Sequence, residues 1–591
     1  MEDADLLELS RQGRVRFFES NEYIAWQGES YRMQVFVIQQ GTVSLWDETG
    51  EAPVLRDVRG AGDMLGIEQF NDDGLYAYSA RSASDVLIYV FPAIEFEALV
   101  LKYPNARRFA AAYGNVTGDY PATEERREPP GIFLIDVAGR KKLLTCTTGD
   151  SIREVARTLL AAGADSIAVL DSENRARAVL TANSFLKWIA EDAGNSREPI
   201  SKLVGTAPLA MSPVASVADG ILAMGSADAA PFVITSDGSA QGRLHAVVTS
   251  RDLEPVFGDQ PLSILRDIPF AADMQALRDL NQRVRTFALQ RLTGAASVEW
   301  LTRFVTLADV RIVRRIIALL NVAELPVTWC FYGSSGRGES LTKVCPQLLM
   351  IAEEHHDRGR SLDAFRRVSD SLAECGYLPA VDVPFEPAFF VASLAEWTQR
   401  YGDWVHDPVF KEMYRARPLF DLRPIFGHDA AWREIEATVA SAMDRTFLEI
   451  LANDCMASLP PLTFFHDAVV NEIGEESAVF RLEHSAVLPL VDVGRVFGMA
   501  ANKVIGSSTL ERFTMARTLM PEHESIFRQA AETFRIVLWQ QGRIGINQGT
   551  SGAELPPALL SRFDRQILRN GFRSILKLIE FTADSKWLKT L

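Results

Sequence analysis

The chain has 591 residues, 47% of them hydrophobic and 23% charged. At roughly 100–200 residues per domain, this predicts several domains, each with enough apolar residues for a core. Its 77 acidic and 61 basic residues give a net charge of −16. That balance repels a phosphate backbone and argues against nonspecific nucleic-acid binding. A small anionic ligand stays compatible, because local amides and a few arginines outweigh a global field at short range.

Five cysteines, Cys146, Cys330, Cys345, Cys375 and Cys455, are scattered with no CxxC pair. They read as free thiols of a reducing compartment rather than a zinc site. The acidic start, Met1 to Asp5, lacks the basic and apolar runs of a signal peptide. No apolar stretch reaches the roughly 18–20 residues of a membrane span. The expectation is a cytoplasmic chain with no transmembrane segment.

Residues 1–118 read as a β-rich unit. Short strands recur at Val35–Ile38, Thr42–Val43–Ser44–Leu45–Trp46 and Val86–Val90, with glycines between them at Gly28, Gly41, Gly60 and Gly62. A helical pattern follows over Phe91 to Lys102. Residues 119–130 (DYPATEERREPP), Pro-rich and charged, read as a linker. Residues 131–258 hold an internal repeat of about sixty residues, each copy reading strand, helix, strand, strand, helix. Copy one carries Ser166–Ile167–Ala168–Val169–Leu170 and Ala178–Val179–Leu180–Thr181. Copy two carries Phe232–Val233–Ile234–Thr235 and His245–Ala246–Val247–Val248–Thr249. Residues 259–325 read as a helical connector, 326–430 as mixed strand and helix, and 431–591 as mostly helical. The stretch Arg562 to Lys577 reads as an amphipathic helix with a solvated basic face.

Three resemblances follow from particular strings. Tyr23 to Glu29, Phe36 to Val43 and Gly62–Asp63–Met64–Leu65–Gly66 resemble the cyclic-nucleotide-binding domain, a β-roll. That resemblance implies a phosphate cassette at Gly66 and Glu68. The family's phosphate-binding Arg, however, falls near Ala77 here, with Arg81 displaced toward the next strand. The sixty-residue repeat resembles a tandem CBS pair, an α/β disc that commonly dimerises and binds adenine nucleotides. The resemblance implies a cleft with Thr249 and Asp252 on phosphate and ribose, and Thr181 in copy one, where Ser184 replaces the Asp. Helix capping explains the same residues.

The string Gly333–Ser334–Ser335–Gly336–Arg337–Gly338–Glu339, after an apolar strand, resembles the nucleotidyltransferase family known as domain of unknown function 294. That family is related to the uridylyltransferases of PII proteins. Ser393 to Trp397, Leu419 to Gly427, Leu488 to Arg495 and Thr509 to Phe513 extend the resemblance over most of the chain. It implies a polymerase-β-type α/β domain followed by a helical C-terminal bundle, in an overall multidomain α+β protein. It also implies a nucleotide or phosphate site at Gly333, Ser334, Arg337 and Glu339, and two magnesium ions held by an Asp-x-Asp pair. The positions of that pair are Cys345 and Gln347, a soft thiol and a neutral amide. Asp421 is the remaining carboxylate of the set, and Glu353, Glu354 and Asp357 lie beyond the expected strand. His355–His356–Asp357 reads as an exposed loop rather than a ligand cluster, because adjacent side chains diverge.

The expectation is therefore a non-catalytic, nucleotide-sensing regulatory protein with a degenerate transferase domain. It would act on an unidentified protein partner, as a homodimer through the repeat, with adenine nucleotide at the repeat and magnesium only if active. The alternatives are an active transferase with relocated metal ligands, modifying a protein or small molecule, and a scaffold indifferent to nucleotides.

Overall fold

The computed structural model describes residues 3–49, 53–67, 74–103, 134, 143–191, 194–226, 230–257, 260–292, 297–353, 357–380, 385–408, 415–461, 463–465, 468–470, 476–477, 479–502, 506–584 and 586–589. The linker expected at 119–130 lies outside them, as do Glu68, Glu354, His355 and His356. The fold is mixed α+β and multidomain, with a β-rich N-terminal unit and a helical C-terminal region.

Alternating apolar residues close the N-terminal unit. Helix α1 (Asp3–Gln12) precedes strands β1 (Arg14–Phe18), β2 (Tyr23–Ala25), β3 (Gln34–Gln40), β4 (Val43–Asp47), β5 (Val54–Arg59), β6 (Met64–Leu65), β7 (Ser79–Ser82) and β8 (Val86–Pro92), and α2 (Ala93–Lys102) follows. Two antiparallel sheets, β1-β8-β3-β6 and β2-β7-β4-β5, face each other. Phe36, Ile38, Val43, Leu45, Ala80 and Ile88 fill the space between them. Gly41 sits at φ +92°, where a Cβ would stand 2.1 Å from the Asp85 carbonyl oxygen, so this turn needs glycine.

Both repeat copies build the same unit. Copy one holds β9 (Thr145–Thr147), α3 (Ile152–Ala162), β10 (Ser166–Leu170), β11 (Ala176–Thr181) and α4 (Ala182–Ala190). Copy two holds β12 (Ala210–Met211), α5 (Val217–Ser226), β13 (Phe232–Thr235), β14 (Leu244–Val248) and α6 (Ser250–Phe257). In each, the middle strand pairs parallel to the first and antiparallel to the third. Ala168 and Ala176 of one sheet cluster with Val233 and Leu244 of the other. The two copies differ in what covers their helices. In copy two, α5 lies against α7 (Gln260–Asp267) and α9 (Val298–Leu319), close enough that a Cβ on Gly225 would meet Leu265 and Leu307. In copy one, Leu160, Leu186 and Ile189 are 80%, 62% and 61% exposed.

Helices α8 (Met274–Leu292) and α9 pack as an antiparallel pair, joined by a buried ion pair of 2.8 Å between Arg285 and Asp309. A four-stranded sheet follows, ordered β17 (Val391–Ser393), β16 (Leu348–Ala352), β15 (Val327–Phe331), β18 (Arg423–Phe426). Every residue of β15, β16 and β17 is buried. One helical turn, α10 (Gly333–Arg337), follows β15, and α11 (Arg358–Glu374) and α12 (Leu394–His406) cover the sheet.

The C-terminal region holds α13 (Asp429–Ala442), α14 (Arg445–Asp454), α15 (Leu488–Ala500), α16 (Thr509–Leu519), α17 (Glu524–Gln548) and α18 (Arg562–Ala583). It also holds a small sheet, β19 (Thr463–Phe465), β20 (Ala468–Val470) and β21 (Glu476–Ser477), that the helical periodicity did not foretell. These strands are too short for their β-propensity to stand out in a window sized for helices. A second difference concerns α18. Its basic face is only partly solvated: Arg569 and Arg573 are turned onto Asp63 and Asp57 of the β-rich unit, and Lys577 is exposed.

Glycine sets the approach of α15 and α16. A Cβ on Gly494 would stand 3.1 Å from Thr509 Cγ2, and one on Gly498 would stand 2.9 Å from Arg512 Cγ. Gly498→Leu should therefore cost about 1–3 kcal/mol through overpacking. Urea unfolding of the variant against the parent chain measures it, and an unchanged midpoint would refute this packing.

Candidate functional site

The site begins where β15 ends. Tyr332 leads from the strand into Gly333, at φ +60°. A Cβ on Gly333 would stand 2.1 Å from Gln347 Oε1, so the carboxamide of Gln347 lies over the turn. Ser334 N donates to Gln347 Oε1 at 3.2 Å, Tyr332 N donates to the Gln347 carbonyl at 3.0 Å, and Ser335 Oγ accepts from Gln347 N at 3.2 Å. The Ser334 amide, which a phosphate would otherwise meet, is thus used by a neutral side chain.

The rest of the string turns inward. Gly336 packs against the backbone of Asp421, where a Cβ would lie 1.7 Å from the carbonyl oxygen. Arg337, expected beside a phosphate, is buried instead. Its Nε donates to Glu339 Oε2 at 2.6 Å and its Nη1 to Asp421 Oδ2 at 2.6 Å. Glu339 Oε1 accepts from Thr509 N at 2.5 Å, at the start of α16. Arg337 and Glu339 therefore serve the seam between the sheet domain and the helical region.

Asp421 is the centre of that seam and 1% exposed. It follows the turn Arg417–Phe420 and precedes β18. Besides Arg337 it receives Arg495 of α15, with Nη2 at 2.7 Å from Oδ2, and Arg512 of α16, with Nη2 at 2.8 Å from Oδ1. Arg495 Nη1 also reaches Asp492 Oδ1 at 2.6 Å, and Arg417 Nη1 reaches Asp492 Oδ2 at 2.5 Å. Burial alone would raise the Asp421 pKa, but Arg495, Arg512 and Arg337 outweigh it and hold the carboxyl far below its usual range. Asp492, Arg495, Glu511 and Arg512 stand in or at the start of helices, where ion-pair and capping roles are ordinary. Glu511 does form a capping box with Ser508. That Arg495 and Arg512 converge on Asp421 had no sequence signal, because the partners are 74 and 91 residues away.

This donor set does not fit magnesium. Asp421 faces three guanidinium groups, and Gln347 offers one neutral oxygen already bonded to the turn. Burial, with Asp309 beside it, pushes the Cys345 thiol up to about 12, so it is protonated at neutral pH. Asp357 caps α11 through the Gly359 and Arg360 amides. Among the described residues, no group of three or more His, Cys, Asp and Glu side chains could hold a metal ion.

The repeat and the β-rich unit carry the other expected contacts. Asp252 Oδ2 accepts from Thr249 N and Thr249 Oγ1, both at 2.8 Å, which caps α6. In copy one, Ser184 Oγ accepts from Thr181 N at 3.1 Å in the same geometry. Gly66 adopts φ +77° at the start of the expected cassette, and Glu68 lies outside the described residues. Arg81 is turned away onto the Asn21 carbonyl and the Tyr23 ring.

Residues 282–411 match the family described as "Putative nucleotidyltransferase DUF294", and residues 445–585 match "Putative nucleotidyltransferase substrate binding domain". Residues 15–103 match the cyclic nucleotide-binding domain. No curated protein matches. Solved structures similar to the chain include the catabolite activator protein of Thermus thermophilus, at 18% identity and TM-score 0.17, covering 18% of this chain and 50% of that one. Others are the regulatory subunit of a cAMP-independent protein kinase A from Trypanosoma brucei (19%, TM-score 0.18, covering 20% and 43%) and the regulatory domain of Toxoplasma gondii PKA with cAMP (17%, TM-score 0.18, covering 19% and 42%). The chain thus spans half or less of each of these structures.

Two outcomes follow from the buried charges. Asp421→Asn leaves three arginines facing a neutral amide and should lower stability by about 3–5 kcal/mol in urea unfolding; a loss under 1 kcal/mol would mean the cluster is solvated. Asp454, near Asp492 and Arg417, behaves oppositely. Burial and Asp492 raise its pKa to about 6 from 3.8, and Arg417 opposes them. Because the folded state holds this proton more tightly, stability falls as pH rises from about 4 to about 6 and is level above that. Asp454→Asn should therefore raise Tm by a few degrees at pH 7.5 and have little effect at pH 4. Equal effects at both pH values would refute the assignment.

Proposed function

From a chain that joins a cyclic nucleotide-binding domain to the DUF294 nucleotidyltransferase domain and its C-terminal partner domain, we infer a nucleotide-responsive regulator that carries out no transfer itself. One observation carries this reading. The carboxylate that would serve the metal ions is instead the anchor of Arg337, Arg495 and Arg512. Two metal ions would bring four positive charges to a place where three guanidinium groups already share it.

The nucleotide would be sensed outside the transferase-like turn. The sixty-residue repeat, read as a CBS pair, would hold an adenine nucleotide between its sheets. Thr249, Asp252 and Thr181 would exchange their caps for ligand contacts, which cost little because helix-start amides accept an anion readily. The exposed apolar side chains Leu160, Leu186 and Ile189 on copy one support a homodimer through that face, since the matching face of copy two is covered within the chain. Ligand binding would then shift how the two copies are arranged and which surface is offered to a protein partner.

Titration calorimetry of the full chain with AMP, ADP, ATP and cyclic AMP should give heat with at least one of them. Incubation with labelled ATP or UTP, magnesium or manganese, and candidate acceptors should give no transfer. Label transfer that disappears in Asp421→Ala would sink the non-catalytic reading. Absence of heat and of any melting shift with all four nucleotides would leave the chain a scaffold.

A further inference from the structure

One sheet of the β-rich unit ends in an open edge. Strand β1 is the last of the order β1-β8-β3-β6, and it pairs with β8 from Arg14↔Val90 to Phe18↔Val86 without a break in register. In an antiparallel pair, every second residue of an edge strand turns its N–H and C=O away from its neighbour. Among the described residues, no backbone hydrogen bond reaches residues 14–18 from that outer side. The first four residues of the strand are exposed, and only Phe18 is buried. The two sides of the strand differ. Residues paired across antiparallel strands share a side. Val15 pairs with Tyr89 and Phe17 with Leu87, and Tyr89 pairs in turn with Val37 of β3. Val15 and Phe17 are each 59% exposed and Tyr89 39%, so an apolar row crosses the outer face of the sheet and reaches its edge. Arg14 and Arg16 pair with Val90 and Ile88, which belong to the core, and so stand on the opposite side, at the rim of the roll. Arg16 lies over the Phe18 ring, 5.0 Å from its centroid. Among the described residues, neither arginine forms an ion pair.

We propose that β1 is a docking edge for an extended segment of a protein partner, one in which carboxylates alternate with apolar residues. The segment adds a strand to the sheet. Its main chain meets the open edge, its apolar residues cover Val15 and Phe17, and its carboxylates meet Arg14 and Arg16. An edge that offers unpaired backbone beside large exposed apolar side chains is a ready template for such a strand. Charge selects this occupant over a second copy of the chain. The symmetric antiparallel registers that set Val15 against Val15 or against Phe17 put Arg14 opposite Arg16, or Arg16 opposite Arg16, and like charges directly opposite destabilise a sheet. The net charge of −16 repels an acidic partner only at long range. At physiological salt the screening length is about 8 Å, so the two arginines decide the contact. The site is independent of the nucleotide reading above, since the edge is formed by β1 and β8 alone.

The test uses the full chain and two fluorescent synthetic peptides, one alternating glutamate with valine and the other lysine with valine. Fluorescence anisotropy should show the glutamate peptide binding the parent chain about tenfold tighter than the lysine peptide. Hydrogen exchange in residues 14–18 should slow when it binds. In the double variant Arg14→Glu, Arg16→Glu the preference should invert, and binding of the lysine peptide shows that the variant is folded. The neutral pair Arg14→Gln, Arg16→Gln should bind the two peptides alike. Binding of neither peptide to the parent chain, equal binding of both, or binding without protection of residues 14–18 would overturn the proposal. So would a glutamate preference that survives in the reversed variant. Sedimentation velocity should be the same for parent and variants; a change in self-association would make the edge a contact between copies and overturn the foreign partner.

Discussion

A single carboxylate, Asp421, decides how the central and C-terminal parts of this molecule meet. Three arginines from three separate segments end on it: Arg337 from the turn after β15, Arg495 from α15 and Arg512 from α16. A buried arginine cannot shed its charge at any accessible pH, so each needs a fixed anion nearby. Glu339 and Asp492 supply the remaining negative charge at the edges of the cluster. The geometry of the turn, the packing of α15 on α16 and the position of β18 are all consequences of satisfying these groups at once.

The same constraint explains why the glycines surround the cluster. Gly336 lets the turn touch the Asp421 backbone, and Gly494 and Gly498 let α16 bring Thr509 and Arg512 inward. Thr509 donates its backbone amide to Glu339, which in turn holds Arg337. Removing space at any of these positions pushes a charged group out of reach of its partner. The penalty is then electrostatic as well as steric, because a buried charge without its partner costs more than a lost van der Waals contact.

Much of the architecture was legible in the sequence because it rests on local patterns. The repeat showed itself through Ser166–Leu170 and Phe232–Thr235, apolar runs at the same place in two copies, and both are strands. The Thr249 and Asp252 pair was readable as a cap or as a ligand contact, and as it stands it is a cap. What could not be read was long range. Nothing near Arg569 or Arg573 marks them as partners of Asp63 and Asp57, roughly five hundred residues earlier, so a basic helix face looked like a solvated one. Periodicity tells which face of a helix is polar, and not whether water or another domain satisfies it.

The Gly-Ser string carries a similar ambiguity, and the structure shows which protein groups fill the turn. A glycine-rich turn after a strand is suited to phosphate because its amides are bare and its backbone can be approached closely. Here the close approach is made by protein. Gln347 lies over Gly333 and accepts from Ser334, and the Asp421 backbone fills the place a Cβ on Gly336 would need. The turn therefore requires glycine at both positions for packing alone, with or without a nucleotide. A motif whose residues are each fixed by sterics and buried ion pairs reports the fold reliably and the chemistry poorly; the side chain that bears on the chemistry stands eight residues after Glu339, where Gln347 presents a neutral amide to the turn in place of a carboxylate.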